Sequence, residues 1–221
     1  MRTLSRILGV FVPASLVLLV VMASPAAALN ETVLCKVNEV PCKTTNQYPI
    51  NSSFKAVATK PKFNLSGGAP EYTVGCAEAT LVNKITAVSG NPLPGEVNSM
   101  AFETCKEEPG GEACSVTMLQ LPYKTEIERG TAPDGTMRLW RNEEGKDPRF
   151  RISCFGAKLK CTYGESPVTL SIHGANPAEF FTSTTGLQLL FEEGTLECPT
   201  GGTWTANFFA TEPKPVFVSR N

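Results

Sequence analysis

The stretch Phe150-Arg151-Ile152-Ser153-Cys154-Phe155-Gly156-Ala157-Lys158-Leu159-Lys160-Cys161-Thr162-Tyr163 decides the fold class. Phe150, Ile152 and Cys154 alternate with polar residues, and Leu159, Cys161 and Tyr163 do the same beyond Phe155-Gly156-Ala157. A period of two sends successive side chains to opposite faces, and the glycine supplies a tight turn. The stretch is therefore expected to be an antiparallel hairpin with one apolar and one basic face. Cys154 and Cys161 share the apolar parity, so a bridge between them is expected if the register sets them opposite.

The same alternation recurs outward in both directions. It runs through Tyr123, Thr125 and Ile127, through Val168, Leu170 and Ile172, and through Trp204, Ala206 and Phe208. Further strands are expected at 54–59, 72–76, 80–88, 97–104, 115–120, 136–141, 180–183, 187–191 and 216–218. Gly-, Pro- and Asn-rich turns separate them, among them Gly90-Asn91-Pro92-Leu93-Pro94-Gly95 and Pro133-Asp134-Gly135. Beyond the leader, no segment keeps a helical apolar stripe for three turns. The expected fold is all-β, an antiparallel β-sandwich or flattened barrel stapled by disulfides, in one domain over 29–221. A weak internal echo runs from Cys76 to Gly90-Asn91-Pro92 and from Cys161 to Gly174-Ala175-Asn176-Pro177, over 14 and 13 residues to the glycine. A duplicated unit would leave that trace, and so would common turn vocabulary.

The N-terminal segment gives the compartment. Arg2 and Arg6 precede an uncharged run from Ile7 to Val21, which ends in Ser24-Pro25-Ala26-Ala27-Ala28. This is the pattern of a secretory signal peptide over 1–28, with cleavage before Leu29. The alternative, an uncleaved anchor over Ile7 to Leu29, is opposed by Pro13 and by the absence of a following basic cluster. Secretion or display at the cell surface is expected, with no transmembrane segment after cleavage.

Eight cysteines follow the leader: Cys35, Cys42, Cys76, Cys105, Cys114, Cys154, Cys161 and Cys198. An even count in an exported chain reads as a disulfide framework. No C-x-x-C occurs, and one histidine does not complete a common zinc set, so neither a metal nor a cofactor is expected. Sequence proximity favours 35–42, 105–114 and 154–161, which leaves 76–198 by elimination.

Leu34-Cys35-Lys36, the Gly90 to Glu96 turn, Leu121-Pro122-Tyr123-Lys124 and Cys198-Pro199 with Thr203-Trp204-Thr205-Ala206, together with the leader, resemble exported, cysteine-bearing all-β proteins of unknown function from actinobacteria. The resemblance implies an all-β fold and an extracytoplasmic site, and it implies no activity. Under it, the sequons at Asn30, Asn51 and Asn64 carry no glycosylation meaning.

Candidates for chemistry are few. The chain holds a single histidine, His173, and two aspartates, Asp134 and Asp147. Parity turns His173 and Ser171 outward, and no Gly-x-Ser-x-Gly elbow accompanies them, so no catalytic residue is assigned. The acidic doublets Glu107-Glu108, Glu143-Glu144 and Glu192-Glu193 place neighbours on opposite faces wherever they lie in strands. Without the leader, 18 basic side chains face 21 acidic ones, a balance that argues against nucleic acid as a partner. The basic residues Arg149, Arg151, Lys158 and Lys160 share the polar face of the hairpin. As a mutually repelling cluster they are expected either to be relieved by Glu143 or Glu144 or to serve an anionic partner, a wall polymer or an acidic protein surface. The plainer alternative is that they keep an exposed face soluble and block edge pairing. The reading is a secreted, non-catalytic binding or structural module. Its rivals are a secreted hydrolase and an inhibitor that presents the loop Lys106 to Ala113.

Overall fold

A computed structural model describes residues 30–221 apart from Ala69. The leader and its cleavage site lie outside the described residues. Among the described residues, fifteen strands and one 3-10 turn (Thr44–Asn46) make up the regular structure. In chain order the strands are β1 (Thr32–Cys35), β2 (Ser53–Thr59), β3 (Lys62–Ser66), β4 (Tyr72–Ile85) and β5 (Ser89–Gly90). β6 (Leu93–Glu108), β7 (Ala113–Leu119), β8 (Tyr123–Arg129), β9 (Gly135–Leu139) and β10 (Arg149–Cys154) follow. The series ends with β11 (Leu159–Gly164), β12 (Val168–His173), β13 (Glu179–Glu192), β14 (Gly201–Glu212) and β15 (Phe217–Arg220). Every pairing is antiparallel.

The hydrogen-bonded pairs close into two rings. The upper ring runs β2-β4-β6-β8-β9-β12-β13-β14 and returns to β2. The lower ring runs β3-β4-β6-β7-β10-β11-β13-β14 and returns to β3. Each is an eight-stranded barrel, and the four long strands β4, β6, β13 and β14 belong to both. The antiparallel β-sandwich or flattened barrel expected from the sequence takes the form of two closed barrels stacked end to end.

Why the sequence reads β4 and β13 as two strands each is visible in their packing. In β4 the inward set changes from Val74 and Cys76 to Ala79, Leu81, Asn83 and Ile85. In β13 a bulge between Thr184 and Leu187 makes the same change. A break of parity looks like a loop when only period two is followed, whereas the backbone continues through it.

The two halves of the chain repeat one plan. β2, β3, β4, β6 and the pair β7/β8 hold the same ring positions as β9, β10, the pair β11/β12, β13 and β14. The echo noted at Cys76 and Cys161 marks corresponding points, since each begins the course leading into a long strand, β6 or β13. Continuity differs between the halves. β4 and β14 run unbroken, while their counterparts are cut at Glu165-Ser166-Pro167 and Gln120-Leu121-Pro122. Proline lacks the amide a ladder needs, and Gln120 takes a left-handed φ of 59° at its cut.

Side chains fill both barrels, as eight strands permit. The lower core stacks Phe63 on Trp204 at 5.8 Å, with Phe150 4.9 Å from Trp204 and Phe102 edge-on to both Phe63 and Trp204. The upper core leaves a cavity of about 10 Å³ among Leu34, Phe54, Leu81, Met137 and Phe180. That is room for about one water, too little for a ligand. A small sheet in the order β15-β1-β5 caps the upper barrel, where the Val218 amide donates to Pro133 O at 2.9 Å.

All eight cysteines are paired, as 35–42, 76–105, 114–154 and 161–198. Only the first matches the pairing expected from proximity; 105–114, 154–161 and 76–198 are corrected. The hairpin forms as expected, but a turn over 155–158 sets Cys154 opposite Leu159 and Cys161 opposite Ile152. Shared parity is not shared register. Cys76, Cys105, Cys114 and Cys154 instead form one row across β4, β6, β7 and β10. Antiparallel ladders alternate between hydrogen-bonded pairs and closer non-hydrogen-bonded ones. The Glu107 amide donates to Glu112 O, which makes Cys105–Cys114, two residues on, a wider hydrogen-bonded pair. The Cys76 amide points away from β6, to Pro61 O, so Cys76–Cys105 is the close pair that bonds.

Candidate functional site

The basic face lies on the outside of the lower barrel. Arg149 and Arg151 alternate with the buried Phe150 and Ile152 on β10, as the pattern requires. Across the ladder, Thr117, Arg151, Thr162 and Phe191 make one row over β7, β10, β11 and β13. Lys160 shares the face opposite Ser153. Lys158 does not: it sits in the exposed turn, and its carbonyl accepts the amides of Thr195 and Leu196. The structure thus brings together three of the four expected residues.

Repulsion among the cations is relieved by a residue not foreseen. Glu193, rather than Glu143 or Glu144, lies 3.3 Å from Arg151 Nη2 and 3.5 Å from Lys160 Nζ. These pairs are solvent-exposed, where an ion pair contributes little, about 0 to 1 kcal/mol. Arg149 Nε donates to Asp147 O at 3.4 Å. The arginines thus keep most of their donors for another partner.

A concavity of about 360 Å³ opens on this face, lined by Gln120, Arg149, Arg151, Thr162, Phe191 and Glu192 among others. Two of its lining residues carry a buried polar atom with no hydrogen-bond partner, Arg151 Nε and Thr162 Oγ1. Thr162 as a residue is only 2% exposed. Buried groups of this kind are rare in native proteins and each calls for a reason. Phe191 stands beside them at 56% exposure, after a register shift in β11–β13 leaves Leu190 unpaired. A bulge is a common means of re-aiming a side chain. Thr162, Phe191 and Gln120 escaped the sequence reading, and Glu193 entered it only as half of an acidic doublet, because the β11–β13 pairing is non-local; only the polar parity of Thr162 hinted at its place.

Other candidates assemble less. His173 is exposed, with Nδ1 3.4 Å from Asp134 Oδ2, while Asp134 Oδ1 accepts the Gly174 amide at 3.1 Å. Among the described residues no hydroxyl is hydrogen-bonded to this couple, so a nucleophile is not in place. The ligand atoms of Cys35, Glu39 and Cys42 cluster within 4.8 Å, but both sulfurs are spent on a disulfide and Glu39 accepts from Asn46 and Lys43. The loop 106–113 is flanked by bridges to two other strands rather than closed by its own. Burial pushes the Tyr123 phenol up to about 12, and its hydroxyl donates to Leu119 O. It is a core tyrosine with its partner satisfied.

No protein-family model matches the chain, no curated protein matches it in sequence, and no solved structure matches its fold. Four disulfides are consistent with an extracellular protein. No helix among the described residues is long and apolar enough to cross a membrane.

Proposed function

We propose that the protein is an exported, non-catalytic binding module whose contact surface is the outer face of β10, β11 and β13. The observation that carries this reading is the concavity lined by Arg149, Arg151 and the exposed Phe191, two of whose lining residues, Arg151 and Thr162, also carry an unpartnered buried polar atom. Blocking edge pairing is a weaker account of the charges, since β10 and β11 lie inside a closed ring and present no edge. Keeping the face soluble explains the cations but not the orphaned atoms. The ligand is anionic, in keeping with a wall polymer outside the cell.

Retention of the intact protein on an anionic wall polymer, measured from 0.1 M to 1 M salt, tests the reading. The Debye length falls from about 10 Å to 3 Å over that range, so binding is expected at low salt and loss at high salt. Arg151→Glu and Lys160→Glu, each of which sets a carboxylate beside Glu193, are expected to abolish retention with the protein still folded. Retention indifferent to both substitutions, or none at low salt, overturns it.

A further inference from the structure

The concavity at Phe191 has a neighbour of related composition. A second hollow of about 510 Å³ is lined by Lys124, Trp140, Arg141, Asn142 and Ser166. It too combines an aromatic ring with cations, and one of its lining residues, Trp140, has a buried Nε1 with no partner. The two are tied together at their common border. Asn142 Nδ2, from the second hollow, donates at 3.0 Å to the carbonyl of Gln120, which lines the first. Asp147 joins them from the other side: its carbonyl accepts from Arg149 and its Oδ1 from Arg141 Nε at 2.8 Å.

From this repeat we infer that the hollows are successive subsites for one extended acidic polysaccharide, a chain of pyranose rings bearing carboxylates. The inference rests on the binding reading above and adds the ligand's class. Three features select a sugar over a bare polyanion. Glu192 and Glu193 stand in the wall of the first hollow, where they repel a densely charged chain yet accept hydrogen bonds from hydroxyls. Phe191 and Trp140 offer one ring to each subsite, flat apolar surface that suits the C–H face of a pyranose and has no use against phosphate. The free arginine donors match carboxylate geometry. Hydroxyl-rich, sparsely charged and flat-faced describes an acidic sugar. The second subsite, with its own ring and cations, makes the ligand a chain rather than a single residue.

Trp140 also supplies the readout. The chain has two tryptophans, and Trp204 is fully buried in the lower core, so an emission change on ligand addition reports the second hollow. The intact protein is titrated with polygalacturonate, with dextran as the uncharged polymer and long-chain polyphosphate as the charged chain without rings. Polygalacturonate is expected to bind and shift the emission, with dextran and polyphosphate at least about tenfold weaker. Arg151→Gln is expected to weaken binding about tenfold or more, and Phe191→Ala about two- to tenfold. Thr162→Val, which keeps the side chain's shape and removes a buried hydroxyl with no partner, is expected to hold or raise the melting temperature. Polyphosphate binding as tightly as polygalacturonate, with sensitivity to Arg151→Gln, overturns the sugar and leaves the anionic reading intact. Polygalacturonate binding without any response of Trp140 overturns the second subsite. Binding of no polymer overturns both the inference and the reading under it.

Discussion

Glu165 is a charge held at a cost. It is half-buried at the cut between β11 and β12, and its Oε2 has no partner. Burial raises its pKa above the ordinary glutamate value, against smaller opposite pulls from the Thr184 hydroxyl and the Gly186 amide. A raised carboxyl pKa means that the folded state holds a proton the unfolded chain has released. Stability from this group therefore falls as pH rises from the ordinary glutamate range through the folded value, and stays lower above it. Glu165→Gln is expected to raise the urea midpoint near neutral pH and to leave it unchanged at about pH 4. Equal shifts at both pH values would count against it. Asp147 has the opposite sign: its hydrogen bond with Arg141 lowers its pKa, so its contribution is lost as pH falls. His173→Ala is expected to change stability by less than about 0.5 kcal/mol, since the ring is exposed and held only by Asp134. Loss of some activity in that variant, with the fold intact, would favour a hydrolase.

At the level of elements, disulfides differ in what they close. The Cys114–Cys154 bridge spans 40 residues and joins the two repeated halves, whereas Cys35–Cys42 spans 7 within the cap. On the chain-entropy model the first stabilises by about 4 kcal/mol and the second by about 2.5. Paired Cys→Ala variants measured by urea unfolding are expected to follow that order; the reverse order would mean that native contacts, not loop closure, set the cost. The alternation of Phe150 to Tyr163 revealed hairpin, turn and polar face, because period two is a local property. Register is not local. It depends on where a neighbouring strand docks, so proximity paired Cys154 with Cys161 while the fold presents Cys154 to Cys114. For the same reason Arg149 and Arg151 were legible as site residues. Phe191 and Thr162 were not, because their meeting waits on a bulge some thirty residues from the hairpin turn.

At the scale of the whole molecule, the two barrels share their longest strands. β4, β6, β13 and β14 contribute hydrogen bonds to both rings, so neither ring opens without tearing the other. Three of the four disulfides lie in the lower barrel. Left to act alone, that asymmetry would split melting into two steps. Shared strands are expected to prevent it: calorimetry should give a single transition whose van't Hoff and calorimetric enthalpies agree. Two resolved transitions would show that the upper barrel melts by itself.

The unequal continuity of the halves also fixes how many ligands one chain accommodates. β7/β8, β9/β10 and β11/β12 are neighbours in both rings, so the three longer cuts fall on the same side of the waist. The cut at Gln120, the long link through Trp140 to Asp147 and the cut at Ser166 supply the walls of the two hollows there. On the opposite side β14 and β4 pass straight through, and β2 joins β3 across only Lys60 and Pro61. A repeat with perfect symmetry would have offered two equivalent grooves. Here the symmetry is broken by strand interruption, and titration should count one polymer site per chain.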